Sequence, residues 1–411
     1  MLIYSSATAP AGFLGHFVVI TTKGDTTVRM SRLLPMVAAI FLVMCAVLNV
    51  HAQEPVKIGA IFSVTGGASF LGEPEKNTVL MLKEQINKAG GINGRPVDVI
   101  IEDSKSDEST AVLAAKKLIE RDKVVAIIGP STTGESMAVI PIATKAKVPL
   151  ISAAAGAGIT QPVKDRQWVF KTAQYDTSAV EAIYTHMKKQ GITRIGIISV
   201  TSGFGDAGRK ALQDMAPKFG ITIVADERYG PKDADMTTQL TKIKATGAKA
   251  VINWSIGPGQ VVVAKNWSSL KMGIPLYQSH GWGSKKNIEL AGKAAEGVIA
   301  PMSRLVVWDK VSDKHPQKAA LKKYAQEYEA RFRSEPGAFG GYAHDALMLV
   351  VEASRKSGAD RTKIRNHIEN NVKKWAGISG VFTMSPKDHC GLDKDAFEMV
   401  VVKNGDWQIL K

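Results

Sequence analysis

From Val56 onward the chain alternates short β-branched runs with stretches of helical period. The first run, Val56–Phe62, is apolar at almost every position, as a strand buried on both faces should be. The 3.6-residue period predicts a helix over 77–88, which Gly90-Gly91 stops. A second strand over 97–102 precedes a helix over 109–121, a third over 124–128 precedes a helix over 134–146, and a fourth falls at 150–152. Apolar strands spaced by helices make parallel βαβ units, whose crossover helices cover both faces of the sheet. These units account for one doubly wound lobe.

The alternation then restarts. Helices over 177–190, 208–219, 236–246 and 259–271 precede strands over 194–200, 221–225, 250–254 and 275–277, which makes a second lobe of the same kind. The last third differs, with long helices over 316–333 and 341–357, another over 362–371, and short strands at 380–384 and 396–402. The long helices are expected to return to the first lobe and the last strands to the second. The predicted fold class is therefore α/β, two doubly wound parallel-sheet lobes joined by a multi-crossing hinge. Residues 54–173 with 305–379 form the N-terminal lobe, and 174–304 with 380–411 the C-terminal lobe. No low-complexity linker separates them, which argues against two independently folding domains.

The stretch before Val56 reads differently. Met30-Ser31-Arg32 is a short basic head, residues 33–50 are apolar, and small residues lead to a cut after Ala52, the three parts of a secretory signal peptide. A membrane anchor is the competing reading, but the run is short for a span and Pro35 interrupts it. Residues 1–29 carry no such pattern, so Met30 is the expected first residue. Lipid attachment at Cys45 is disfavoured by the bulky Met44 before it. Cleavage after Ala52 leaves Cys390 as the lone cysteine, without an internal disulfide. The net charge of +15 becomes +13 once Lys23, Arg29, Arg32 and Asp25 are removed. Its lysines are scattered, as in Lys116-Lys117 and Lys322-Lys323, with no aromatic interleaving. That is a solvated basic surface able to steer anions, not a nucleic-acid site.

Ligands in open α/β sheets sit where the strands end and helices begin. After the first strand comes Ser63-Val64-Thr65-Gly66-Gly67-Ala68-Ser69-Phe70-Leu71-Gly72, a Gly-rich turn with an aromatic. After the third, Ser131, Thr132 and Thr133 open a helix, where free N–H groups and the helix dipole favour a carboxylate. Plain helix capping is the competing reading for these hydroxyls. After the fourth, Ala153, Ala154 and Ala155 would let a ligand approach the backbone. In the second lobe Phe204, Trp254, His280 and Trp282 fall at strand ends and Tyr175 at the first crossover, as an apolar clamp would. Nucleophile elbow, zinc-protease, Walker and dinucleotide signatures are missing, and the histidines beyond residue 52 lack metal-ligand spacing. No cofactor, metal or catalytic residue is expected.

The order of Val56-Lys57-Ile58-Gly59, Ser63-Val64-Thr65-Gly66, Gly90-Gly91-Ile92-Asn93-Gly94, Gly129-Pro130-Ser131, Ser152 with its alanines, and Tyr342-Ala343-His344-Asp345 resembles the leucine/isoleucine/valine-binding proteins of ABC transporters. The resemblance implies a type I periplasmic-binding fold with three crossings and a ligand trapped by hinge closure. It implies that Ser131, Thr132 and Thr133 with the backbone of Ala153, Ala154 and Ala155 hold a ligand carboxylate, that Phe204 stacks on the ligand, and that Phe70 or Leu71 touches its tail. It also implies a periplasmic monomer that delivers its solute to ABC permease subunits in the inner membrane. There is one departure. Amino-acid-binding members hold the ligand ammonium with an acid on a second-lobe loop, whereas the matching Gln278-Ser279-His280-Gly281-Trp282 has none. An unpaired ammonium in a closed cleft is costly, so the expected ligand is an aromatic or hydrophobic acid without an amine, with His280 donating to its carboxylate or a ring hydroxyl. A periplasmic sensor of the same fold and a secreted hydrolase with an unfamiliar site are the alternatives.

Overall fold

The computed structural model describes residues 54–410, so the expected signal peptide lies outside the described residues. The first sheet holds β1 (Val56–Phe62), β2 (Val97–Asp103), β3 (Ile127–Ile128), β4 (Leu150–Ser152) and β5 (Val169–Lys171) in the order β2-β1-β3-β4-β5, all parallel. Helices α1 (Ser69–Lys88), α2 (Glu108–Glu120) and α3 (Thr133–Lys145) connect them. The strand expected over 124–128 shrinks to two residues, and β5, three residues ending in a buried lysine, was not anticipated.

The helix expected from residue 77 begins at Ser69, so the Gly-rich turn is shorter than its sequence suggested. Pro74 masked the extension, since proline removes a helical N–H. The carbonyl of Pro74 instead accepts from Thr78 Oγ1 at 2.8 Å.

The second lobe holds α4 (Asp176–Lys189), β6 (Arg194–Val200), α5 (Gly203–Phe219), β7 (Thr222–Tyr229), α6 (Thr237–Ala245), β8 (Ala250–Trp254), α7 (Gly259–Ser269), β9 (Leu276–Gln278), α8 (Lys285–Ala291) and β10 (Ile299–Ser303). β13 (Phe397–Lys403) and β14 (Asp406–Ile409) complete a sheet ordered β14-β13-β10-β9-β8-β6-β7. β13 pairs antiparallel with β10 and β14, while β10, β9, β8, β6 and β7 run parallel. β10 escaped the sequence reading because Pro301 interrupts it, and here Pro301 stands opposite Met399.

The last third supplies α9 (Lys318–Phe332), α10 (Ala338–Ser357) and α11 (Arg361–Asn371). Ala343, Ala346, Leu347 and Val350 of α10 share one core with Ile58, Ala60 and Ile128, while Leu321, Tyr324 and Tyr328 of α9 pack with Met81 of α1. The expected 380–384 strand is instead one arm of a hairpin, β11 (Trp375–Ala376) with β12 (Val381–Phe382). Phe382, Met384, Cys390, Leu392 and Ala396 pack into the first core, and the chain joins the second sheet only at β13. These apolar side chains complete the first core.

The crossings are laced together by buried hydrogen bonds. Gln174 Nε2 donates to the Ser379 carbonyl at 2.7 Å, Gln317 Nε2 to the Gly377 carbonyl at 2.9 Å, and Asp345 accepts the N–H groups of Ile378 and Ser379 at 2.8 and 2.7 Å. Among the described residues no helix is long and apolar enough to cross a membrane.

If α10 is core to the first lobe, Leu347→Ala should lower unfolding stability by about 2–5 kcal/mol, the range for a buried leucine leaving a cavity. Urea titration checks this through a lower midpoint at unchanged slope.

Candidate functional site

The loops after β1, β3 and β4 face those after β6, β8 and β9 across a cleft, because parallel strands deliver their carboxyl ends to one edge of each sheet. The cleft walls are formed by Leu71, Ser131, Thr132, Thr133, Ala153, Ala154, Ala155, Ala173, Phe204, Ile256, His280, Gly281, Phe339 and Tyr342.

On the first-lobe wall the hydroxyls are unequal. Thr132 is the N-cap of α3 in a capping box: its Oγ1 accepts from the Glu135 N–H at 3.2 Å, and Glu135 accepts the Thr132 N–H at 3.1 Å. Ser131 Oγ accepts from the Ser63 N–H at 2.9 Å and donates to Glu75. Glu75 is buried, which raises its carboxyl well above the usual range. Both hydroxyls therefore hold the wall itself. Thr133 Oγ1 only accepts, from the Gly156 N–H at 3.3 Å, and keeps its own hydrogen to donate. A Cβ at Gly156 would stand 3.1 Å from Thr133 Oγ1, so glycine is what allows this approach.

Backbone donors join it. The first-turn amides of α3 at Thr133 and Gly134 have no acceptor within the helix. The amides of Ala153 and Ala154 are engaged by the Pro130 carbonyl at 3.2 Å and Ser152 Oγ at 3.1 Å. The Ala155 N–H has no partner among the described residues. Thr133 and Ala155 thus offer converging donors, which suit an anion.

The opposite wall is apolar. Phe204 sits in the first turn of α5, capped by Ser202, whose side chain accepts the Gly205 N–H at 3.2 Å. Phe339 and Tyr342, three residues apart at the start of α10, close the cleft from the hinge. These two, with Ala173, Ile256 and Gly281, were missed from the sequence. The signal was an aromatic pair at helical spacing, and Tyr342 had been noted only as part of the resemblance.

Four expected residues lie off the cleft. Phe70 meets Phe339 edge-on, with ring centroids 5.8 Å apart. Tyr175 turns its hydroxyl to Thr160 at 2.9 Å and Asp388 at 3.0 Å. Trp254 is fully buried behind Phe204 and His280, at ring distances of 5.9 and 5.6 Å. Trp282 is fully buried in the other core of the second lobe. In the tight turn at 280–282, His280 and Trp282 point into different layers.

Behind the cleft the polar groups are unusual. Asp176 opens α4, and among the described residues neither of its carboxylate oxygens has a partner at hydrogen-bond geometry, the Ala157 N–H lying near without a well-formed bond; both ring nitrogens of His280 likewise lack one. His280 Nε2 stands 3.9 Å from Asp176 Oδ1. Burial, with the Lys171 charge adding to it, lowers the His280 pKa to about 3, so the ring is neutral and the contact is not an ion pair. Burial raises Asp176 to about 6, against the pull of Lys171 and of the Ala157 N–H. Lys171, at the end of β5, donates to the Ala155 carbonyl and lies 4.4 Å from the Tyr175 ring centroid. No cluster of metal-ligating side chains occurs among the described residues.

Two doubly wound lobes, three crossings and a cleft with anion-binding donors on one wall define a solute-binding protein of the type I periplasmic-binding fold. The chain belongs to the periplasmic binding protein family, whose model matches residues 55–406. It is 24% identical over 325 residues, 78% of this chain and 84% of the other, to a leucine-, isoleucine-, valine-, threonine- and alanine-binding protein of Pseudomonas aeruginosa. A solved extracellular ligand-binding receptor from Rhodopseudomonas palustris HaA2 is 30% identical, covering 87% of this chain and 100% of that one, at a TM-score of 0.82. The isoleucine complex of LivJ from Streptococcus pneumoniae shares the fold, with a TM-score of 0.74, 23% identity, and 86% and 98% of the two chains covered. The expected membership in the leucine/isoleucine/valine-binding protein family holds, and these relatives are binding proteins.

Asp176 and His280 make opposite contributions to stability against pH. Asp176 goes from an ordinary 3.8 to about 6 on folding, so its contribution is full below 3.8 and is lost as pH rises through 6. His280 goes from 6.5 to about 3, so its contribution is full above 6.5 and is lost as pH falls towards 3. Between about pH 4 and 6 the two slopes oppose. Relative to the parent, Asp176→Asn should gain stability as pH rises across this window, and His280→Phe should lose it. Urea midpoints at several pH values check both, and flat differences would refute the assignment.

Proposed function

We propose that this chain is the solute-capturing component of an ABC transporter of the branched-chain amino acid type. It works in the periplasm, closes its cleft over a small carboxylate that has no ammonium group, and delivers it to a permease. The observation that carries the reading is the asymmetry of the cleft. The Thr133 hydroxyl, the first-turn amides of α3 and the Ala155 N–H offer donors on one side, while none of the lining residues is acidic. The family and its named relatives support solute capture.

The apolar wall of Leu71, Phe204, Ile256 and Phe339 suits a hydrophobic or aromatic body on the acid. The carboxylate would meet neutral donors, whose hydrogen bonds strengthen when the acceptor is charged. An ammonium on the same ligand would find no acidic side chain lining the cleft, and leaving it unpaired costs several kcal/mol. Asp176 lies behind His280 rather than on the lining, and faces the charge of Lys171.

Calorimetry with benzoate, 4-methylpentanoate and leucine tests the reading. The two simple acids should bind, and leucine should bind at least about a hundredfold more weakly than 4-methylpentanoate. Tight leucine binding would end the proposal. Thr133→Val keeps the shape and removes the hydroxyl, so it should weaken the acids by about ten- to a hundredfold, the loss of one hydrogen bond to a charged group. Its urea midpoint should move little.

A further inference from the structure

At the His280 wall of the cleft, and immediately behind it, lie polar atoms that the described residues leave without a well-formed hydrogen bond. Asp176 is 1% exposed and His280 4%, and among the described residues none of their four side-chain heteroatoms has a partner at hydrogen-bond geometry, although the Ala157 N–H lies near the carboxylate. The imidazole is nevertheless held firmly, with the rings of Phe204, Trp254 and Phe397 centred 5.3, 5.6 and 5.5 Å away. Buried polar groups in native proteins are nearly always hydrogen-bonded, and exceptions call for a missing partner. Here the ring also lines the cleft, so the partner can enter from it.

The separation says what would fit. At 3.9 Å, Asp176 Oδ1 and His280 Nε2 are too far apart to bond directly. A single oxygen placed about 2.8 Å from each spans the gap. We propose that the solute carries a hydroxyl that enters this gap, donating to Asp176 and accepting from a proton on His280 Nε2. The solute is then a small hydroxy acid. This rests on the reading of the cleft as a carboxylate site and adds the identity of its second polar group.

Charge favours a hydroxyl over an ammonium. The charged or titratable groups facing the pair are Lys171 at the end of β5 and, beyond it, Asp388 and Cys390 on the segment that packs against β5. Lys171 is the leading charge acting on both Asp176 and His280, so the negative charge of Asp176 already has a buried counterpart. A ligand ammonium would add a second buried cation against one carboxylate, whereas a hydroxyl adds no charge.

Matched acids test this by calorimetry: 2-hydroxy-4-methylpentanoate against 4-methylpentanoate and leucine, and 2-, 3- and 4-hydroxybenzoate against benzoate. On the unsubstituted protein at least one hydroxy acid should bind about tenfold or more tightly than its parent. In His280→Phe and Asp176→Asn that preference, read as the ratio of hydroxy-acid to parent-acid affinity in the same variant, should fall below about threefold. Parent acids that bind without any hydroxyl preference overturn this inference alone and leave the carboxylate cleft standing; a water filling the gap would give that result. A preference that survives both substitutions also overturns it. Leucine binding more tightly than both its analogues, or no heat from any acid, overturns the carboxylate reading and this inference together. The comparison on the unsubstituted protein needs no variant to fold.

Discussion

Parallel strands cannot be joined by a tight turn, so each needs a crossover, and every strand in a parallel sheet ends on the same edge. The architecture follows from that constraint applied twice. In the first sheet all strands obey it, and the loops after β1, β3 and β4 are gathered on one edge without any need for a special motif. In the second sheet the five strands β6 to β10 obey it, and β13 and β14 are added beyond β10, with Phe397 at the start of β13 packing against the His280 ring. The lobes can then touch through small residues. A Cβ on Gly203 would come within 3.1 Å of the Gly134 nitrogen, and one on Gly257 within 3.6 Å of the Phe70 ring. The lips meet at glycines, which lets the helix N-termini of α3 and α5 approach.

The hinge needs its own stabilisation because the chain passes through it three times. Its backbone groups are away from both sheets, and a buried unpaired amide is costly. Side chains do the pairing: Gln174, Gln317 and Asp345 each reach the 377–379 backbone, and Tyr342 links its hydroxyl to Gln174 Oε1 at 3.0 Å. Tyr342 also lines the cleft, so one side chain joins the crossing segments to the ligand site. Lys171 does the same from the other side. It ties β5 to the Ala155 carbonyl, next to the free Ala155 N–H, while its charge bears on Asp176 and His280.

The two-lobe plan was legible because it depends on periodicity, which survives in a single sequence. Strands such as Val56–Phe62 and Arg194–Val200 announce themselves through unbroken apolar runs. What escaped reading was short or interrupted: Val169–Lys171 has three residues and a lysine, and Ile299–Ser303 contains Pro301. The first-lobe loops were legible at the level of the segment but not of the atom. Nothing in Ser131-Thr132-Thr133 says that the first two hydroxyls hold Glu75 and Glu135, because those partners are distant in sequence or need the helix start to be known. Trp254 and Trp282 looked like clamp residues by position, and only packing shows that they support the clamp from behind. Asp176 was overlooked because the acid was sought on the 278–282 loop, and helix α4 brings one near that loop from elsewhere in the chain.

On the proposed hydroxyl bridge, closure and recognition would depend on the same atoms. With the lips in contact, the gap between Asp176 and His280 is shut off from bulk water, and its polar atoms lack a well-formed hydrogen bond among the described residues. Hinge opening that admitted water to these groups would make that cost oppose closing of the empty protein. A solute that supplies the missing hydrogen bonds removes the cost only in the closed form. It thus has a higher affinity for that form, which is the one property that lets a ligand shift a conformational equilibrium. The apolar wall alone would not discriminate in this way, since it gains from any greasy body. With the proposed hydroxyl as the completing group, leaving the buried acid and imidazole incomplete would make closing conditional on the right occupant.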